Sequence, residues 1–106
     1  MSIDKDISAI LPKSSQELYV LTESNGNCEL FIYSISNNSF GLPRAIPSGQ
    51  IHDVVAINDN EIIIAHQSGL LRYTHNNNSL VPIVTQQFNK VKYDFLNNLL
   101  LASQDN

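Results

Sequence analysis

Tryptophan is absent from this 106-residue chain, and cysteine and methionine occur once each. The lone Cys28 excludes an internal disulfide and any metal site built from several thiolates. Positive charge is scarce: six Lys and Arg are scattered from Lys5 to Lys92, and the formal net charge is −4. A nucleic-acid binder needs a basic face, and so does a protein that adheres to anionic lipid; this sequence has none. No apolar run approaches the roughly 20 residues of a membrane-spanning helix, so the segment is not expected to insert into a membrane. The start, Met1-Ser-Ile-Asp-Lys-Asp6, lacks the apolar core of a signal peptide. Either a cytosolic protein or a mature or recombinant segment with an added Met fits such a start.

What the chain does have is ordinary apolar content, 42%, with only 15% charged residues, so that Asn, Ser and Gln supply much of the polarity. Those residues recur in a pattern. Tyr33-Ser-Ile-Ser-Asn-Asn-Ser-Phe40 and Tyr73-Thr-His-Asn-Asn-Asn-Ser-Leu80 stand 40 residues apart. Glu29-Leu-Phe-Ile-Tyr33 lies over Gly69-Leu-Leu-Arg-Tyr73 at the same offset. Upstream the offset becomes 44, placing Glu17–Ser24 over Glu61–Ser68. The difference is the insertion Asn25-Gly-Asn-Cys28, and Asn-Gly is a strong hairpin-turn signal. A third copy follows without gaps, Gln50–Gln67 over Gln87–Gln104 at an offset of 37, with Ile62-Ile-Ile-Ala65 meeting Leu99-Leu-Leu-Ala102. Gaps confined to turns mark a genuine repeat.

Each copy reads as short strands. Leu18-Tyr-Val-Leu21, Leu30-Phe-Ile-Tyr33, Ile62-Ile-Ile-Ala65 and Leu70-Leu-Arg-Tyr73 are β-branched, aromatic or leucine-rich and bounded by Asn, Gly, Ser and Asp. No helical periodicity outlasts two turns. The first copy, residues 6–48, predicts strands at Asp6–Pro12, Glu17–Glu23, Glu29–Ile35 and Phe40–Ile46. The second, 50–86, predicts Ile51–Ile57, Glu61–His66, Gly69–Thr74 and Leu80–Thr85. The partial third, 87–106, predicts only Phe88–Phe95 and Leu99–Ala102. The expected class is all-β, with antiparallel four-stranded blades of the β-propeller type in about two and a half repeats. The all-apolar second strands, Ile62–Ala65 and Leu99–Ala102, suit strands covered on both faces. A β-sandwich is the alternative, but it does not account for a register-keeping repeat.

The stretch Ile51-His-Asp-Val54, Glu61-Ile-Ile-Ile-Ala-His-Gln-Ser-Gly-Leu-Leu-Arg-Tyr73 resembles the two-component regulator propeller repeat. Gly69-Leu70-Leu71-Arg72-Tyr73 matches its closing element, Thr22 keeps its threonine, and Tyr19 holds an aromatic at its tryptophan position. His66 and Ser103 replace that threonine in the other copies, and Leu21, Ala65 and Ala102 replace the glycine before it. The resemblance implies a segment of a ligand-sensing module outside the cytoplasm, periplasmic or extracellular, joined to further propeller blades and often taking a carbohydrate ligand. It carries no ligand residues over, because its motif is structural.

The side chains that invite a search for chemistry have plainer readings. His52 and Asp53 are neighbours on a strand and point to opposite faces, so they cannot act as a catalytic pair. His66, in an apolar strand, is expected to be hydrogen-bonded between blades rather than to ligate a metal, and His75 in the Asn-rich turn is expected to be solvated. Cys28 has no base presented to it and is expected to be inert. Asp53 and Asp59-Asn60-Glu61 lack the ligand spacing of a calcium loop. Asn37-Asn-Ser39 and Asn77-Asn-Ser79 satisfy the glycosylation sequon, but Asn also tolerates the positive φ of a turn between third and fourth strands. No catalytic, cofactor or metal residue is assigned.

The third copy ends after its second strand. Leu99, Leu100, Leu101 and Ala102 are therefore expected to form an apolar edge that takes a partner, because repeat units need neighbours to bury their faces. That partner would be further blades of the same or another chain, or a second copy in a homo-oligomer. A protein–protein interaction scaffold completed by a partner strand is the alternative function to ligand sensing, and would place the protein in the cytoplasm.

Overall fold

The computed structural model describes residues 5–104; the Met1 start considered above lies outside them, as do Asp105 and Asn106. The described chain is all-β, every sheet is antiparallel, and it divides into two compact units, Met1–Gly49 and Gln50–Asn106.

In the first unit, β1 (Ile7–Pro12), β2 (Glu17–Ser24), β3 (Asn27–Ser34) and β4 (Ser39–Phe40) pair in chain order, and β5 (Arg44–Ile46) pairs with β3 beyond β4. The β2–β3 turn is Asn25-Gly26, with φ of 53° and 80°. Two successive positive φ values match the right-handed twist of a tight hairpin, and Asn and Gly are the residues that adopt them most readily. The pairings Leu18↔Tyr33, Val20↔Phe31 and Tyr33↔Phe40 place five side chains on one face as an apolar cluster. Phe31 and Phe40 meet edge-on, with ring centroids 5.7 Å apart. The strand expected at Phe40–Ile46 is broken in two. Pro43 has no N–H to give to a ladder, Leu42 turns outward at 94% exposure, and pairing resumes at Arg44↔Leu30.

In the second unit, β6 (Ile51–Asn58), β7 (Glu61–His66), β8 (Gly69–Thr74) and β9 (Ser79–Val84) form a four-stranded sheet in chain order. β10 (Lys90–Asp94) and β11 (Leu99–Ser103) form a separate two-stranded sheet. Gly69, which opens β8, has φ of 130°, and a Cβ there would lie 2.1 Å from the Val84 carbonyl oxygen. Only glycine lets β9 come this close. β7 is the most buried strand of its sheet, with Ile62, Ile63, Ile64 and Ala65 all at 0–1% exposure.

The two complete sheets share one register. Leu18↔Tyr33, Val20↔Phe31 and Leu21↔Leu30 in the first correspond to Ile62↔Tyr73, Ile64↔Leu71 and Ala65↔Leu70 in the second. The turns correspond as well. Ile35 donates its N–H to the Gln16 carbonyl at 2.8 Å, and His75 donates to the Asn60 carbonyl at 2.7 Å.

Candidate functional site

The sequence directs attention to Leu99–Ala102, and the structure places them in β11, which among the described residues pairs with β10 alone. Val91, Leu100 and Phe88 turn toward Ile63, Ala65, Leu70, Val55 and Ile57, so the hairpin packs on one face of the β6–β9 sheet. β10 lies against β6 and, less closely, β7. Asp53 fixes this packing: its Oδ2 accepts the Val91 N–H at 2.9 Å while its Oδ1 accepts the Val54 N–H at 3.0 Å. A carboxylate between two backbone donors that strand pairing would leave open is a strong, directional link. Nothing in the residue order foretold it, because Asp53 and Val91 are 38 residues apart.

On the opposite face, Leu99 and Leu101 are each 50% exposed; Ala102, which shares the Leu100 face, is exposed as well. The expectation that Leu99–Ala102 are covered on both faces therefore fails among the described residues. Leu100 is packed, while its two leucine neighbours are not. A groove of about 290 Å³ runs along the hairpin, lined by Lys90, Val91, Lys92, Leu101, Ala102 and Ser103.

The hairpin turn carries a signal that the repeat alignment overlooks. Tyr93-Asp-Phe-Leu-Asn-Asn98 repeats the Tyr-x-x-x-Asn-Asn spacing of residues 33–38 and 73–78. In all three turns the second Asn takes positive φ, at 51°, 50° and 51° for Asn38, Asn78 and Asn98. In all three the tyrosine hydroxyl donates to its Oδ1: Tyr33 to Asn38, Tyr73 to Asn78 at 3.4 Å and Tyr93 to Asn98 at 3.4 Å. This turn is thus not reserved for third and fourth strands; it also closes β10–β11.

The remaining candidates stand apart from β11, except Asp94, which pairs with Leu99 next to the hairpin turn. His66 is fully buried, and its Nδ1 accepts the Ser68 N–H at 3.0 Å beside the Ser68 hydroxyl at 2.8 Å, shaping the β7–β8 turn. His75, expected to be solvated, is half-buried with its Nδ1 3.1 Å from the Tyr73 hydroxyl. His52 has a buried Nε2 with no partner. Cys28 is buried and its Sγ donates to the Gly49 carbonyl at 3.2 Å; burial first, then the Glu23 carboxylate, push the thiol above its usual pKa, which suppresses the reactive thiolate. Glu61 accepts from Asn58 at 2.9 Å and from Arg72 Nε at 2.7 Å, and these bonds, Asn58 first, hold its carboxyl below the usual range. Asp94 is likewise held low, by the Asn97 amide and then by the Leu96 and Asn97 N–H groups. Both carboxylates pin turns. Among the described residues, no three His, Cys, Asp or Glu side chains are grouped to hold a metal ion.

No family, curated protein or solved structure matches the chain. The reading of its function therefore rests on its own geometry.

Proposed function

We propose that this chain is a non-catalytic protein-interaction module built from propeller-type blades, in which β10–β11 is a half-filled blade that docks a partner strand. The observation that carries this reading is the contrast between β7 and β11. The two occupy aligned positions in the repeat; β7 is paired on both sides and buried from Ile62 to His66, while β11, among the described residues, is paired on one side and carries half-exposed leucines. The shared register of the two complete sheets supports treating them as equivalent blades. The stacking of β10 on β6 supports treating the hairpin as the start of a third.

The test is association in solution by size exclusion coupled to light scattering, with Leu99→Lys and Leu101→Lys as controls. Both side chains are half-exposed, so these changes should leave the circular dichroism unchanged. The expected result is association, with itself or with an added strand, that both variants weaken. Association equal in wild type and variants would overturn the docking role.

A second reading, the ligand-sensing module outside the cytoplasm, is favoured by the Gly69-Leu-Leu-Arg-Tyr73 element alone. On that reading a sugar should raise the melting temperature of the chain in a saturable way, and a panel of mono- and oligosaccharides that leaves it unmoved would remove it.

A further inference from the structure

The exposed edges of the sheets are not alike. β1 carries a register shift between Ile7 and Ala9 and ends in Pro12; β6 carries two shifts, at Ile51/Asp53 and Ala56/Asn58. β4 and β5 are separated by Gly41-Leu42-Pro43, and β9 contains Pro82. β10 presents Lys90 and Lys92. Bulges, proline, short strands and lysine are the devices by which sheets prevent unwanted edge pairing. β11, Leu-Leu-Leu-Ala-Ser, is five residues long but has no bulge, proline or lysine, and its register with β10 is unbroken. An edge this apolar and this regular is built to be paired.

The chain also indicates what pairs with it. The Tyr93–Asn98 turn could suggest that β10–β11 corresponds to β8–β9. The packing of β10 on β6 and β7 decides instead for the first and second strands of a sheet. β11 then stands where β2 and β7 stand. Both of those strands receive, on the side left open in β11, an antiparallel strand of one pattern: Leu30-Phe-Ile-Tyr33 and Leu70-Leu-Arg-Tyr73. The fit is steric as well as positional. Ala65 faces Leu70, a small residue opposite a large one, and Ala102 is the alanine at the same place in β11.

We propose that β11 accepts an added antiparallel strand of the pattern Leu-(Leu or Phe)-x-Tyr, with the Leu opposite Ala102, the second residue opposite Leu101 and the Tyr opposite Leu99. The two strands of this pattern in the chain, β3 and β8, are each already paired on both sides. The occupant is therefore a segment other than these two. This inference rests on the docking role of β11 proposed above and adds the identity and register of what docks.

The test uses the full chain and a fluorescent peptide of residues 67–75, Gln-Ser-Gly-Leu-Leu-Arg-Tyr-Thr-His, followed by anisotropy. The expected result is saturable one-to-one binding, weakened about tenfold by Leu101→Lys, as loss of apolar cross-strand contacts and burial of a charge require. A scrambled peptide of the same composition should bind at least as weakly. Equal binding of the scrambled peptide, or binding indifferent to both Leu101→Lys and Leu99→Lys, would overturn the proposal. A folded chain that ignores the peptide but self-associates through β11, losing association in Leu101→Lys, would overturn it in favour of a second copy and leave the docking role standing. A folded chain that neither binds the peptide nor associates would overturn both.

Discussion

β7 and β11 are written almost alike, Ile-Ile-Ile-Ala and Leu-Leu-Leu-Ala, yet the first is sealed and the second is half open. The difference lies in what surrounds each strand. β7 is flanked by β6 and β8 and carries the β10–β11 hairpin on one face; β11 has β10 on one side and one packed face. Composition reports that a strand is suited to burial, and neighbours decide whether it is buried.

The largest effect should come from the residue that lets the sheet around β7 close. Gly69→Ala drives a Cβ to 2.1 Å from the Val84 carbonyl and 2.9 Å from the Thr85 Cα, at a φ of 130°. Backbone cannot give way cheaply, so a loss of more than about 3 kcal/mol is expected in urea denaturation. Gly26→Ala has open space and φ of 80°, and should cost about 1 kcal/mol for the backbone alone. Equal effects at the two glycines would break the comparison.

Truncating the two strands themselves comes next. Ile64→Ala removes a fully buried side chain and should cost about 2–5 kcal/mol. Leu101→Ala, at 50% exposure, should cost under about 1 kcal/mol in the unpartnered chain. A similar cost at both positions would show that Leu101 is buried in solution.

The link between hairpin and sheet is tested by Asp53→Ala. It leaves the half-buried Val91 N–H without its acceptor, at a cost of about 1–3 kcal/mol, and Asp53→Asn, which keeps a side-chain oxygen, should recover part of this. Loss of stability in Asp53→Ala no greater than at an exposed site would mean that the hairpin is held by apolar packing alone.

The smallest effect concerns pH. Glu61 has a folded-state pKa below its unfolded value, so the unfolded chain binds its proton more readily. Its contribution is present above the unfolded value of about 4.3 and is lost as pH falls through the lower folded value. Because Arg72 is half-exposed, that contribution is under about 1 kcal/mol. Denaturation midpoints of wild type and Glu61→Gln should therefore differ at pH 6 and converge in acid; a gap that widens in acid would reverse the assignment.

Strand positions were legible in the sequence because β-branched and aromatic runs alternate with Asn and Gly turns. Glu17–Glu23 was expected and Glu17–Ser24 found; Gly69–Thr74 was expected and found. The break at Pro43 was legible in principle, since proline cannot donate to a ladder. Two features were hidden for different reasons. The Asp53–Val91 bond joins residues brought together only by stacking, and an acidic residue inside a strand does not announce its acceptor role. The Tyr93–Asn98 lock was visible but masked, because the alignment that places β11 over β7 sets Tyr93 against Ala56 rather than against Tyr33 and Tyr73. The half-exposure of Leu99 and Leu101 was not legible, since it depends on a neighbour that the pattern presumes.

Hydrogen exchange resolved to single amides tests the central contrast most directly, within one sample of the full chain. The account predicts slow exchange throughout Ile62–Ala65 and fast exchange at alternate amides of Leu99–Ser103, those that face away from β10, with slowing when the Leu-Leu-Arg-Tyr peptide is added. Uniformly slow exchange across Leu99–Ser103 in the chain alone, matching Ile62–Ala65, would contradict it, because the edge would then already be filled.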